Sequence, residues 1–329
     1  MKNRRILAAI LAIVLLFSLC GCSIGGRRIY VSGGAGFQTV FRIGSMKCPE
    51  KEFRLYLENY RNLYGRLGDV NLWDGEFDTT EMSDSLKKTV LAYLARVYAM
   101  NVYAQEHDIT LDTTELAKID TAAGTYYDSL STEERSYAKV SRKDIRKFYE
   151  RYALAEKVYF TLMKSVDEEV SENEAWVMDG YVLQTTSRQS AEAAESALSA
   201  GTDMAAVVSQ YSEGASGVIA FSRKTFPEKV EDAVFSLNDG ERTDLIYADG
   251  TYYLVSCVTK YDQDKSEENK QNVINERKKK LIEQLIAAQN KRYYSCVNKR
   301  LLSSISVSTD SDVKTDTFFS VLDENLSYQ

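Results

Sequence analysis

The chain has 329 residues, with 41 basic and 48 acidic side chains and a formal charge of −7. That acidic balance excludes a nucleic-acid binder working through basic patches. Five cysteines without CxxC spacing and a single histidine, His107, provide neither a disulfide framework nor a metal centre, so no cofactor is expected.

Lys2, Arg4 and Arg5 precede an apolar run over residues 6–19 in which Ser18 is the one polar residue. The run is too short for a comfortable membrane span and reads as a secretory signal. Gly21 stands before Cys22, with Leu19 three residues before it, an arrangement that resembles the lipobox of bacterial lipoproteins. Cys22 is then the acylated first residue of the mature chain, which attaches to the membrane through more than one acyl chain. A simple cleaved signal and an uncleaved anchor are the alternatives. Loss of residues 1–21 leaves 38 basic and 48 acidic side chains, a charge of −10. Cys48, Cys257 and Cys296 remain as free, buried thiols.

Residues 22–38 are rich in glycine and polar side chains and form a tether. A short strand over residues 39–43 leads to a helix entered at Pro49, since proline is tolerated in a first helical turn. Leu86, Val90, Tyr93, Leu94, Val97 and Met100 mark one apolar helix face. Asp112 with Glu115, Ser131 with Glu134, and Ser141 with Asp144 have capping-box spacing and predict three further helices. From Glu174 the pattern becomes strand, helix, helix, strand, helix and then a hairpin through Asp249-Gly250, an α+β domain of about a hundred residues. Residues 265–304 return to helix and are expected to pack back on the first helical segment. The tail, residues 305–329, has no assignment.

The stretch from Tyr181 to Lys260 resembles the parvulin type of peptidyl-prolyl isomerase (rotamase) domain. The matching segments are "SALSAGTDMAAVVSQYSEG", "IAFSRKTFPEKVEDAVFSLNDGE" and "DGTYYLVS". Together with an acylated cysteine, a helical opening "FRIGSMKCPEKEF" and a returning helix, the chain resembles the PrsA/SurA class of extracytoplasmic foldases and chaperones. The resemblance implies a signal (1–21), a tether (22–38), a helical N-terminal module (39–173), a parvulin-like domain with a small antiparallel sheet (174–264), a C-terminal helix on that module (265–304) and the tail.

A prolyl isomerase lowers the ~18–20 kcal/mol barrier to rotation about the peptide bond. It needs an apolar cup for the proline ring and hydrogen-bonding groups around the rotating carbonyl. In parvulins a histidine pair supplies the polar part, coupled to a cysteine or aspartate. By this resemblance Tyr181 and Tyr252 occupy the two histidine positions, and Ser212 or Glu213 the third. The cup falls to Val218, Phe221, Phe226 and Val230. Both histidines are absent, and His107 lies outside the domain and reads as a surface residue at a helix end. A phenol titrating near 10 lacks imidazole's tunability at neutral pH, so the site reads as degenerate.

The expected protein is a membrane-anchored extracytoplasmic foldase that binds unfolded or partly folded exported polypeptides. An active isomerase with a tyrosine pair and a scaffold lipoprotein dedicated to one envelope partner are the rivals. The oligomeric state is left open. Tyr56, Tyr60, Tyr64, Tyr98, Tyr103, Tyr149 and Tyr152 are either an amphipathic cradle for clients or core.

Overall fold

The computed structural model describes residues 38–67, 70, 71, 73, 79–214, 216–310 and 312–328. The signal, Cys22 and nearly all of the tether lie outside the described residues. The chain divides into two units, one formed by residues up to 165 together with those from 279 onward, the other by residues 166–278. The mixture of helices and small antiparallel sheets is the α+β class that the sequence implies.

In the first unit, β1 (Thr39–Ile43) and β2 (Met46–Pro49) form a tight hairpin. Its turn needs Gly44, at φ +57°, where a side chain would be strained and would meet the Tyr293 ring. Pro49 caps α1 (Glu50–Tyr64) from outside instead of entering its first turn. β3 (Arg66–Leu67) and β4 (Val70–Asn71) make a two-residue ladder before α2 (Thr80–Glu106). Val90, Tyr93, Leu94, Val97 and Met100 are buried along α2, while Leu86 at its start is half-buried. α3 (Thr113–Ser129), α4 (Thr132–Ala138) and α5 (Arg142–Met163) each open on the capping box that their spacing predicts.

A buried ion pair ties three of these helices. The Glu52 carboxylate of α1, fully buried, accepts from Arg151 of α5 at 2.6 and 3.0 Å and from the Tyr98 hydroxyl of α2 at 2.6 Å. With both oxygens hydrogen-bonded, the desolvation cost of the charges is offset.

The second unit begins with α6 (Glu172–Ala175), opened by a fourth capping box from Ser171 and Glu174. β5 (Val177–Thr185), α7 (Arg188–Ser199), α8 (Met204–Tyr211), β6 (Ile219–Ser222), α9 (Glu228–Phe235), β7 (Ile246–Ala248) and β8 (Thr251–Thr259) follow. The four strands form an antiparallel sheet in the order β6-β5-β8-β7. Asp249 and Gly250, both at positive φ, close the β7–β8 hairpin in the manner of a type I′ turn.

α10 (Gln263–Arg292) starts in the second unit and ends in the first. At its end Gln289, Arg292 and the following Tyr293 converge on Glu106 of α2. β9 (Ser295–Val297) then pairs with β1 to complete the sheet β2-β1-β9. Cys48, Cys257 and Cys296 are free and buried, as expected.

The sequence assigns nothing to the tail, but the structure packs it into the first unit. After α11 (Lys299–Ser304) the chain runs irregularly to α12 (Phe318–Asn325), where Phe318, Phe319 and Leu322 are buried. Phe318 lies against Tyr149 (ring centroids 4.6 Å), Tyr56 (4.9 Å) and Tyr126 (5.2 Å), and Phe319 against Tyr152 (5.2 Å) and Tyr60 (5.8 Å). Tyr56, Tyr60, Tyr98, Tyr149 and Tyr152 are therefore core, with Tyr103 half-buried and Tyr64 exposed. His107 is exposed at the end of α2 and stacks on Tyr103, in keeping with a surface role.

Glu58 stands out in this core. It is 3% exposed, and among the described residues neither carboxylate oxygen meets a hydrogen-bond donor. Burial, and to a lesser degree the neighbouring Glu134, push its carboxyl from the ordinary 4.5 up to about 9, against the opposing pull of Arg61. The folded chain thus holds this proton more tightly than the unfolded chain does. That contribution to stability is complete below the unfolded value and is lost as pH rises toward the folded one. Glu58→Gln, which cannot ionise, is expected to gain stability over the parent between pH 4.5 and pH 8, because over that range the parent must take up a proton to fold and the variant need not. The gain should vanish near pH 4.5, as measured by urea unfolding followed through the near-ultraviolet tyrosine signal.

Candidate functional site

Side chains alternate across a strand, so the register of β5 against β8 decides what faces the cup. Tyr181 pairs with Ser256, Val182 with Val255, Leu183 with Leu254, Gln184 with Tyr253 and Thr185 with Tyr252. Val182 and Val255 belong to the face packed by α9, together with Met178, Phe221, Val230 and Cys257. Leu183 and Leu254 belong to the opposite face, covered by α7 and α8.

The two tyrosines expected as a catalytic pair are not together. Tyr181 packs against the α7/α8 core. Tyr252 has the parity of Leu254, so it lies on that same side, where its ring meets Tyr247 at 4.6 Å. Tyr181 and Thr185, the partner of Tyr252, are four positions apart on β5, roughly 13 Å at the rise of a strand. Neither faces the cup.

The residue that does is Tyr253. It packs against the α9-side core, with its ring 6.1 Å from that of Phe226. Adjacent tyrosines on one strand must point to opposite faces, but only the pairing with β5 tells which of them faces Phe226. On β5 Phe221 pairs with Met178 and its ring reaches over Gly180, which a bulge between Asp179 and Gly180 places opposite Cys257. A Cβ at Gly180 would lie 2.2 Å from the Ser256 carbonyl oxygen and 3.2 Å from the Phe221 ring. No side chain fits there without a backbone shift.

Of the cup residues, Phe221, Phe226 and Val230 come together, with Phe221 and Phe226 edge to face at 5.2 Å. Phe221 is 3% exposed and Val230 fully buried, so they fill the core and do not line an open hollow. Phe226 is half-buried, and Val218, 46% exposed, precedes β6 at the surface. Cys257 is no nucleophile at neutral pH, because burial and nearby Asp239 push its thiol up to about 11.

Ser212 and Glu213 fasten the loop after α8 to the end of β5. The Glu213 N–H donates to the Gln184 carbonyl at 2.8 Å, and its carboxylate accepts from the Thr185 hydroxyl at 2.8 Å and from the Thr186 N–H at 3.1 Å. These bonds, the Thr185 hydroxyl's first, hold the carboxyl below its ordinary range. Ser212 Oγ accepts from the N–H groups of Gln184 at 3.2 Å and Gly214 at 3.1 Å. The pair is spent on closing a loop, beside Tyr252's partner Thr185 and away from Phe226.

No protein-family model matches the chain, and no curated protein matches it. Among solved structures it is similar to the peptidyl-prolyl isomerase PrsA from Bacillus anthracis, at 13% identity and a TM-score of 0.40, over 61% of this chain and 96% of that one. PrsA from Bacillus cereus is 19% identical, with a TM-score of 0.40 over 78% and 99% of the two chains. The foldase PrsA from Streptococcus pneumoniae is 16% identical, with a TM-score of 0.32 over 87% and 97%. The chain is similar to PrsA proteins. At these scores the likeness carries no argument about the site, which rests on the register and burial just described.

The closed position at Gly180 is open to test. Gly180→Ala is expected to destabilise the second unit by about 1–3 kcal/mol, the usual cost of overpacking. Urea unfolding followed by tryptophan fluorescence measures it, and wild-type stability would show that the strands can part there.

Proposed function

We propose that this chain is a PrsA-like foldase of the chaperone type, which binds extended or partly folded exported polypeptides and whose parvulin-like domain no longer isomerises prolyl bonds. The observation that carries the loss of catalysis is the composition of the α9-side face. It sets Gly180, Val182, Val255 and a neutral Cys257 against a cup already filled by Phe221 and Val230. Rotation of an amide needs donors and acceptors aimed at the carbonyl in a dry hollow. The Tyr253 hydroxyl beside Phe226 is a phenol without the tunability of imidazole.

The anchored, extracytoplasmic placement belongs to the same proposal and rests on the signal and Cys22. Cys22→Ser is expected to move the protein from the detergent phase to the aqueous phase in phase partitioning. Unchanged partitioning would place the anchor elsewhere.

The decisive experiment follows the cis/trans exchange of a short X-Pro peptide by NMR with the chain from Ser23 to Gln329. No acceleration is expected at high protein concentration, whereas the same sample should slow aggregation of a reduced, unfolded client. Acceleration abolished by Tyr253→Phe would establish a tyrosine-based isomerase instead. Failure to slow aggregation, with no exchange, would favour a dedicated scaffold.

A further inference from the structure

The stretch between α11 and α12 is held in an unusual way. Its backbone is bonded to side chains of the helical unit. Arg61 donates to the carbonyls of Val313 and Asp310, and Asn62 Nδ2 to that of Thr315 at 2.9 Å. Glu134 accepts the N–H groups of Lys314 at 2.8 Å and Thr315 at 2.6 Å. Asn59 accepts the Phe318 N–H at 3.1 Å, and the Tyr149 hydroxyl donates to the Phe318 carbonyl at 2.7 Å. Among the described residues, the one hydrogen bond from the helices to a side chain of residues 306–318 is that of Glu134 to the Thr315 hydroxyl, at 2.8 Å.

The side chains of the stretch divide accordingly. Ser306, Asp310, Asp312, Lys314 and Asp316 are exposed, so the helices do not read their identity. From 306 to 325 the buried side chains among the described residues are Val313, Phe318, Phe319 and Leu322. Backbone bonds give sequence-neutral affinity, and pockets at fixed spacing add a preference for apolar anchors. Those are the requirements for holding an extended polypeptide of any sequence that carries an apolar residue and, five and six positions later, two aromatics.

We propose that the helical unit contains a groove for extended polypeptide and that the chain's own residues 306–325 occupy it as a displaceable stand-in. α12 has eight residues, too few to persist alone in water. When the segment leaves, Glu134, Asn59, Asn62 and Tyr149 lose the backbone partners they have here, and an incoming polypeptide restores them. That the incoming chain is an unfolded client rests on the function proposed above.

The test uses the full chain from Ser23 with a protease site inserted at exposed Thr309, cut after folding, and a labelled synthetic peptide of residues 312–328 read by fluorescence anisotropy. The peptide is expected to bind the cut chain. Changing both Phe318 and Phe319 to Ala in the peptide should weaken binding by about tenfold or more. Replacing Asp312, Lys314 and Asp316 by Ser should leave it nearly unchanged. Binding that depends on those three side chains, or peptide entry only into unfolded chains, overturns the proposal. Hydrogen exchange on the uncut protein gives a second measure that does not depend on the cut. The amides of Lys314, Thr315 and Phe318 should exchange about tenfold or more faster than those around Tyr149 in α5. Equal rates make the segment ordinary core and also overturn the groove. Client aggregation, measured on the same samples, separates the two readings. Peptide exchange without suppression of aggregation keeps the groove and removes the foldase, and suppression without exchange does the reverse.

Discussion

Burying a tyrosine brings a large apolar ring inside together with a hydroxyl that must be satisfied, and the helical unit is built around that constraint. Tyr98 meets it through Glu52, whose carboxylate also holds Arg151, so one buried acid links α1, α2 and α5. Tyr149 meets it through the backbone carbonyl of Phe318, which makes the last segment of the chain part of the core's polar accounting. The constraint is not met everywhere: the hydroxyl of fully buried Tyr56 finds no hydrogen-bond partner among the described residues, and neither do the carboxylate oxygens of Glu58, which responds by holding its proton.

The second unit follows a different logic. Its sheet separates two small cores, and strand alternation assigns each side chain to one of them. Gly180 and Tyr253 come to the α9 side, while Tyr181 and Tyr252 go to the other. The proposed loss of catalysis rests on this division, which turns Tyr181 and Tyr252 away from the face packed by α9. What remains is an aromatic cluster of Phe221, Phe226 and Tyr253, suited to packing and to weak apolar contact.

The proposed function puts polypeptide handling in the helical unit. The tyrosines that looked like a client cradle are turned inward, yet the residues they enclose are the chain's own Phe318 and Phe319. The same chemistry that would suit a client holds the tail, through backbone bonds and aromatic pockets.

The sequence by itself determined the apolar face of α2 and the starts of α3, α4 and α5, because capping boxes and three- and four-residue apolar spacing are local signals that survive any tertiary context. It also determined the order of elements in the sheet domain, the Asp249-Gly250 hairpin and the absence of histidine from the site. It did not determine which of Tyr252 and Tyr253 faces Phe226, since a shift of one residue reverses every side chain and the bulge at Asp179/Gly180 leaves no mark in composition. Nor did it reveal β9, three residues long, or the place of the tail, whose polar stretch carries no periodicity. Both are held by partners more than a hundred residues away in the chain, and only the folded structure brings those partners within bonding distance.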